Sequence, residues 1–263
     1  MLELRQRQTR LTRMYDTCPK CHYQRKNSET SGKDVCPACG LIFSKWIKSQ
    51  FASTPVSTSN DIYSDNENSF KILLAYFSYV DPKTDSIVFY FRTGAYILIF
   101  LWGWNFIFMD YRTNEIGESM MHVINLVFHE AGHVIFSPFG KFIAILGGTL
   151  GQLLMPLIIM LTFTFKQQNN FGASIGLWWL GQSLMDCAPY INDANDLQLV
   201  LLGGVTGLDK PGFHDWQYIL YETGLFDRER ELAMGADLLG AFIMIVSMIW
   251  GGWILYQQYR NLD

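Results

Sequence analysis

Apolar residues along this 263-residue chain gather in long blocks rather than at alternating positions. Five blocks approach the roughly 20 apolar residues that a helix needs to cross a bilayer. They lie at about 88–109, 118–137, 142–165, 173–190 and 236–256. Asp110 ends the first, Pro138 stops the second, and the run Lys166-Gln167-Gln168-Asn169-Asn170 closes the third. Trp102 and Trp104 in the first block are candidates for an aromatic belt at a membrane surface. Gly147 with Gly151, and Gly172 with Gly176, have the spacing that lets helices approach closely in lipid. The pattern predicts a mainly α fold, a multi-pass transmembrane helical bundle of about five spans.

The polar segments divide the rest. Residues 49–69 are rich in Ser, Thr, Asn and Asp, a composition that cannot bury a core and predicts a flexible linker. The apolar run 70–80 is too short to span and suits a helix lying at the membrane surface. Residues 191–235 form a polar connection with one amphipathic helix near 214–222. The organisation expected is a module over 1–48, with a basic stretch at 1–15 that could form a short helix. A linker with a possible interfacial helix follows over 49–86, then a transmembrane domain over 87–263.

Charge sharpens this division. Only 17% of residues are charged, and residues 1–89 hold 12 of the 20 Lys and Arg. The positive-inside rule then puts the N-terminal module in the cytosol, with the bundle in the cytoplasmic membrane. Five alternating spans would leave 110–117 and 166–172 outside and 138–141 and 191–235 inside. The N-terminus lacks the apolar run and cleavage site of a signal peptide. No nucleic-acid partner is expected.

Cysteine spacing supplies the first chemistry. Cys18-Pro19-Lys20-Cys21 and Cys36-Pro37-Ala38-Cys39-Gly40 form two knuckles. Four thiolates so spaced can close a tetrahedron around zinc, and Gly40 permits a positive φ after the second knuckle. The segment resembles a zinc ribbon over about 16–44. Four protein ligands leave no open position, so a folding staple or a docking surface for a protein partner is expected rather than catalysis. His22 reads as a surface residue, and Cys187 stands alone in an apolar stretch.

The second motif is His129-Glu130-Ala131-Gly132-His133. Residues four apart share a helical face, so both imidazoles can reach one metal ion. Glu130 lies about 100° round the helix, where it can activate water. Glu118, His122, Asn125, His129 and His133 fall in one polar stripe of an otherwise apolar helix, which predicts that the stripe faces inward. His122 is about 10 Å along the axis from His129, too far for the same ion; it suits an interior hydrogen-bonded histidine or the lining of a water route. A catalytic zinc usually takes a third protein ligand. Asp186, in the fourth block, matches His133 in estimated depth if the two blocks run alike, and a buried carboxylate needs a cation. Pro189 loosens the helix beside it. His214, in Gly212-Phe213-His214-Asp215-Trp216, is the rival, because its connection could fold back over the site. Asp193 is a candidate for supporting the ligands from behind.

With Phe128-His129-Glu130-Ala131-Gly132-His133 in a spanning helix and a later intramembrane Asp, the chain resembles the site-2-protease family of intramembrane zinc metalloproteases over about 118–193. The resemblance implies that His129, His133 and Asp186 bind zinc and that Glu130 activates water to cut a membrane-embedded peptide. The second motif diverges: Cys187 follows Asp186 where the family has Gly, and Pro189 lies downstream. Two Zn²⁺ are expected, one in the ribbon and one in the membrane site. The readings weighed are an intramembrane metallopeptidase, a non-enzymatic membrane scaffold or assembly factor docking a partner through the ribbon, and a metal-dependent hydrolase of a lipid-like substrate.

Overall fold

A computed structural model describes residues 17–24, 35–43 and 62–262. The expectations for residues 1–15 and for most of the linker lie outside the described residues. The chain divides into two compact units, Met1–Glu67 and Asn68–Asp263.

In the first unit, each knuckle is a tight turn closed by a short antiparallel bridge, Thr17 with Gln24 and Val35 with Ile42. Equivalent amides fold back in both: His22 N–H donates to the Cys18 carbonyl, and Gly40 N–H to the Cys36 carbonyl. These two residues take positive φ, 57° and 70°, so Gly40 plays the part its sequence position predicts. His22 is exposed, as expected.

The second unit is helical. Helix α1 (Ile62–Ser78) begins within the stretch that composition assigns to a linker. Then come α2 (Ser86–Ile107), α3 (Met120–Phe136), α4 (Lys141–Leu161), α5 (Asn170–Asn192), α6 (Asp215–Thr223) and α7 (Glu229–Arg260). A π-turn over Thr162–Lys166 extends α4. Polar residues set the starts: Asp85 accepts from the Ile87 and Val88 amides, Ser119 from His122, and Asn169 from Gly172. Gly224, at φ 69°, ends α6.

Helix α5 is the axis of the bundle and is buried along most of its length. Glycines let its neighbours approach. A Cβ on Gly181 would stand 2.7 Å from the Gly240 carbonyl of α7, and one on Gly240 would stand 2.6 Å from the Gly181 carbonyl. Gly176 lies as closely on the Met160 backbone of α4, and Gly132 of α3 on the Gly147 carbonyl of α4. Gly151 likewise meets the Phe128 carbonyl, so both small-residue pairs named from spacing contribute a close contact. The Trp102 ring packs on Trp178 of α5 and on Phe106, beside Met185, Met244 and Met248.

Three helices are long and apolar enough to cross a membrane: Ser86–Ile107, Lys141–Lys166 and Phe226–Arg260. Five spans are not supported, nor the alternation of loops drawn from them. Helix α3 has 17 residues, about 26 Å at roughly 1.5 Å per residue, against a hydrocarbon thickness of about 30 Å. Helix α5 is longer but buries Asn170, Ser174, Gln182, Ser183 and Asp186.

Candidate metal centre

In the first unit the four cysteines cluster within metal-binding distance. Cys18 Sγ is 3.6 Å from Cys39 Sγ, and Cys21 Sγ is 3.7 Å from Cys36 Sγ. Cys18 and Cys36 are buried while Cys21 and Cys39 are exposed. Burial opposes ionisation of Cys18, yet donors from the Cys21 and Lys20 amides bring its thiol down to about 6. The arrangement is compatible with a closed tetrahedral metal site.

In the helical unit, the inward polar stripe of α3 runs from His122 to His133. Asn125 and His129 are buried, while His122 and His133 are half-buried and line a cavity of about 580 Å³. Glu118 does not share it; it sits exposed on the 3₁₀ turn Glu115–Glu118 before the helix. Glu130 lines the same cavity.

The carboxylate that meets the two imidazoles is Asp215, not Asp186. His129 Nε2 is 2.9 Å and His133 Nε2 3.1 Å from the same oxygen, Asp215 Oδ2. His133 Nδ1 donates to the Ala144 carbonyl at 2.9 Å, which fixes its tautomer and leaves Nε2 to face the carboxylate. Gly148 of α4 completes the cradle: a Cβ there would lie 2.5 Å from His129 Nε2 and 2.6 Å from His133 Nε2. Ligand atoms around a four-coordinate zinc, with bonds of about 2.0 Å, stand roughly 3.3 Å apart, so this donor set fits such an ion and leaves a fourth position. Burial opposes the charge of Asp215, but the two imidazoles hold it below the usual carboxylate range.

Asp215 opens α6, and three residues of the polar connection and α5 place it there. His214 caps the helix, its Nδ1 accepting from the Gln217 amide. That leaves the His214 Nε2–H to face Asp193 Oδ2 at 3.4 Å. Asp193 also accepts from the Gln198 and Leu199 amides at 2.8 and 3.0 Å; burial works against its charge, and His214 with these amides holds it low. The Tyr190 hydroxyl accepts from the Asp215 amide at 2.9 Å, with its ring against His214. His214 is therefore turned away from the imidazole pair and acts on it through its neighbour. Asp193 meets His214, the residue before Asp215, and not the imidazole pair.

Asp186 sits in a different network. Its Oδ1 faces His122 Nδ1 at 2.9 Å, and its Oδ2 accepts from Asn125 at 3.0 Å and Gln152 at 2.9 Å. Asn125 meets Trp179, Gln182, Ser183 and Asp186, two turns of α5, from one position on α3. Asp186 therefore sits level with His122 and Asn125 on α3 rather than with His133. The signal that could have found Asp215 was present: it adjoins His214, the rival candidate, in a connection that could fold back. Compared with known proteins, the chain matches no family model, no curated protein and no solved structure.

Proposed function

We propose that the helical unit is a membrane-anchored zinc metallopeptidase whose metal is held by His129, His133 and Asp215. The observation that carries this reading is the convergence of two Nε2 atoms on one carboxylate oxygen, with Glu130 in the same cavity. When bound, the metal supplies a Lewis acid for the scissile carbonyl and makes water a nucleophile near neutral pH. Glu130 accepts a proton from the attacking water and delivers it to the leaving nitrogen as the C–N bond breaks. Ala144 holds the His133 ring and Tyr190 holds the Asp215 backbone, so the ligands meet without rearrangement. The three long apolar helices anchor the unit in a bilayer, and the basic N-terminal part stays on the cytosolic side. The ribbon binds a second zinc and serves as a folding staple or a docking surface for a partner.

The test compares purified wild type with Glu130→Gln in lipid nanodiscs, each loaded with zinc, on an unstructured membrane-anchored peptide and on a phospholipid ester. Cleavage of the peptide by wild type and a loss of at least about 100-fold in the variant support the reading. Ester cleavage alone replaces it with lipid hydrolysis. No cleavage of either, with zinc bound, favours the scaffold reading.

A further inference from the structure

The cavity that holds the metal ligands contains a second built polar group. His122 Nδ1 lies 2.9 Å from Asp186 Oδ1, with side-chain exposures of 38% and 2%. The carboxylate can only accept, so Nδ1 carries a hydrogen, and Nε2 is the ring nitrogen left for the cavity that His122 lines. Asp186 is a buried carboxylate whose contacts among the described residues include two neutral amides and this one basic ring. Its charge is balanced when His122 carries both ring hydrogens. The ring then presents a charge-assisted N–H to the cavity, and such a donor discriminates in favour of an anionic acceptor.

Helix α4 joins this pair to the metal ligands. Gly148 faces the two Nε2 atoms, Thr149 lines the cavity, and Gln152 both lines it and donates to Asp186. Thr149 is 94% buried (6% exposed), and its hydroxyl has no partner among the described residues. Leu126, Leu201, Leu202 and Phe213 supply the apolar lining. His122 stands about 10 Å along α3 from His129 at roughly 1.5 Å per residue, and an extended peptide covers that in about three residues at roughly 3.3 Å each.

We propose that His122, held by Asp186, is a recognition site for a substrate carboxylate placed about three residues from the scissile bond. Its ligand class is an extended, apolar peptide carrying either a free C-terminal carboxylate or an acidic side chain. The inference rests on the metal centre proposed above. Asp186 is a positioning residue, acting through His122.

The test uses three hydroxamate-headed leucine tripeptides on full-length, zinc-loaded protein, with binding measured by calorimetry and zinc by mass spectrometry. One probe ends in a carboxylate, one in an amide, and one is amidated with glutamate at the third position. The expected result is about tenfold tighter binding of one or both acidic probes than of the amide in wild type. In His122→Asn the preference should vanish while the amide probe binds as before. The amide probe also reports whether the variant folds, and His122→Gln repeats the test with a second side chain. Which acidic probe binds tightly identifies the source of the carboxylate. Equal binding of all three to wild type overturns the recognition site and leaves the metal centre standing. A preference that survives in a variant still binding the amide probe also overturns it. No binding of any probe to zinc-loaded wild type overturns the open metal position, and the recognition site with it.

Discussion

Gly148 stands over His129 so closely that a β-carbon at position 148 would lie 2.5 Å from Nε2. The absence of a side chain there leaves room for an ion where the two imidazoles converge. Gly148→Ala is therefore expected to reduce bound zinc from about two equivalents per chain to one, by filling the position a metal takes. Metal analysis of the purified variant checks this, with an unchanged helical circular dichroism spectrum as the control for folding.

Asp215 depends on its neighbours for its position. Tyr190→Phe removes the hydroxyl that accepts from the Asp215 amide, and His214→Ala removes the cap of α6 and its contact with Asp193. Neither change deletes a ligand. Each is expected to weaken zinc binding in the helical unit about 10- to 100-fold, measured by competition with a chelator of known affinity. Affinity equal to wild type in both would remove them from the supporting role.

Asn125 ties α3 to α5 by donating to Gln182 and Asp186 and accepting from Trp179 and Ser183. Asn125→Leu keeps the volume and strands those partners without water. A destabilisation of about 3 kcal/mol is expected, read as a lower unfolding midpoint in detergent. An unchanged midpoint would mean that the network contributes nothing net.

The two candidate metal sites belong to separate units and should fail separately. Cys36→Ser, at a buried thiol of the cluster, is expected to cost one zinc equivalent and to open the two knuckles, 17–24 and 35–43, to proteolysis. Zinc in the helical unit and the protection of residues 86–260 should persist.

Much of this was legible in the sequence, because long apolar blocks, cysteine knuckles and a His-Glu-x-x-His spacing are local patterns. All five blocks became helices, and the short amphipathic helix near 214–222 is α6 (Asp215–Thr223). Burial of His129 and Asn125 on one face followed from a helical repeat alone. The partner of that face did not, because it depends on how α5 packs on α3 and on where the connection returns. Asp186 is as buried and polar as a ligand would be, but its charge is met by His122 and two amides. Asp215 carries no local mark except its neighbour His214. Composition also misjudged crossing: α5 forms the bundle axis, but Asn170, Ser174, Gln182, Ser183 and Asp186 make it more polar than the three helices long and apolar enough to cross.

The central claim is that Asp215, not Asp186, completes the centre with His129 and His133. It is tested most directly by zinc stoichiometry in Asp215→Asn beside Asp186→Asn, with the ribbon intact in both. Asp215→Asn should fall from two equivalents to one while Asp186→Asn keeps both. Loss of the second zinc in Asp186→Asn, with Asp215→Asn retaining it, would contradict the account.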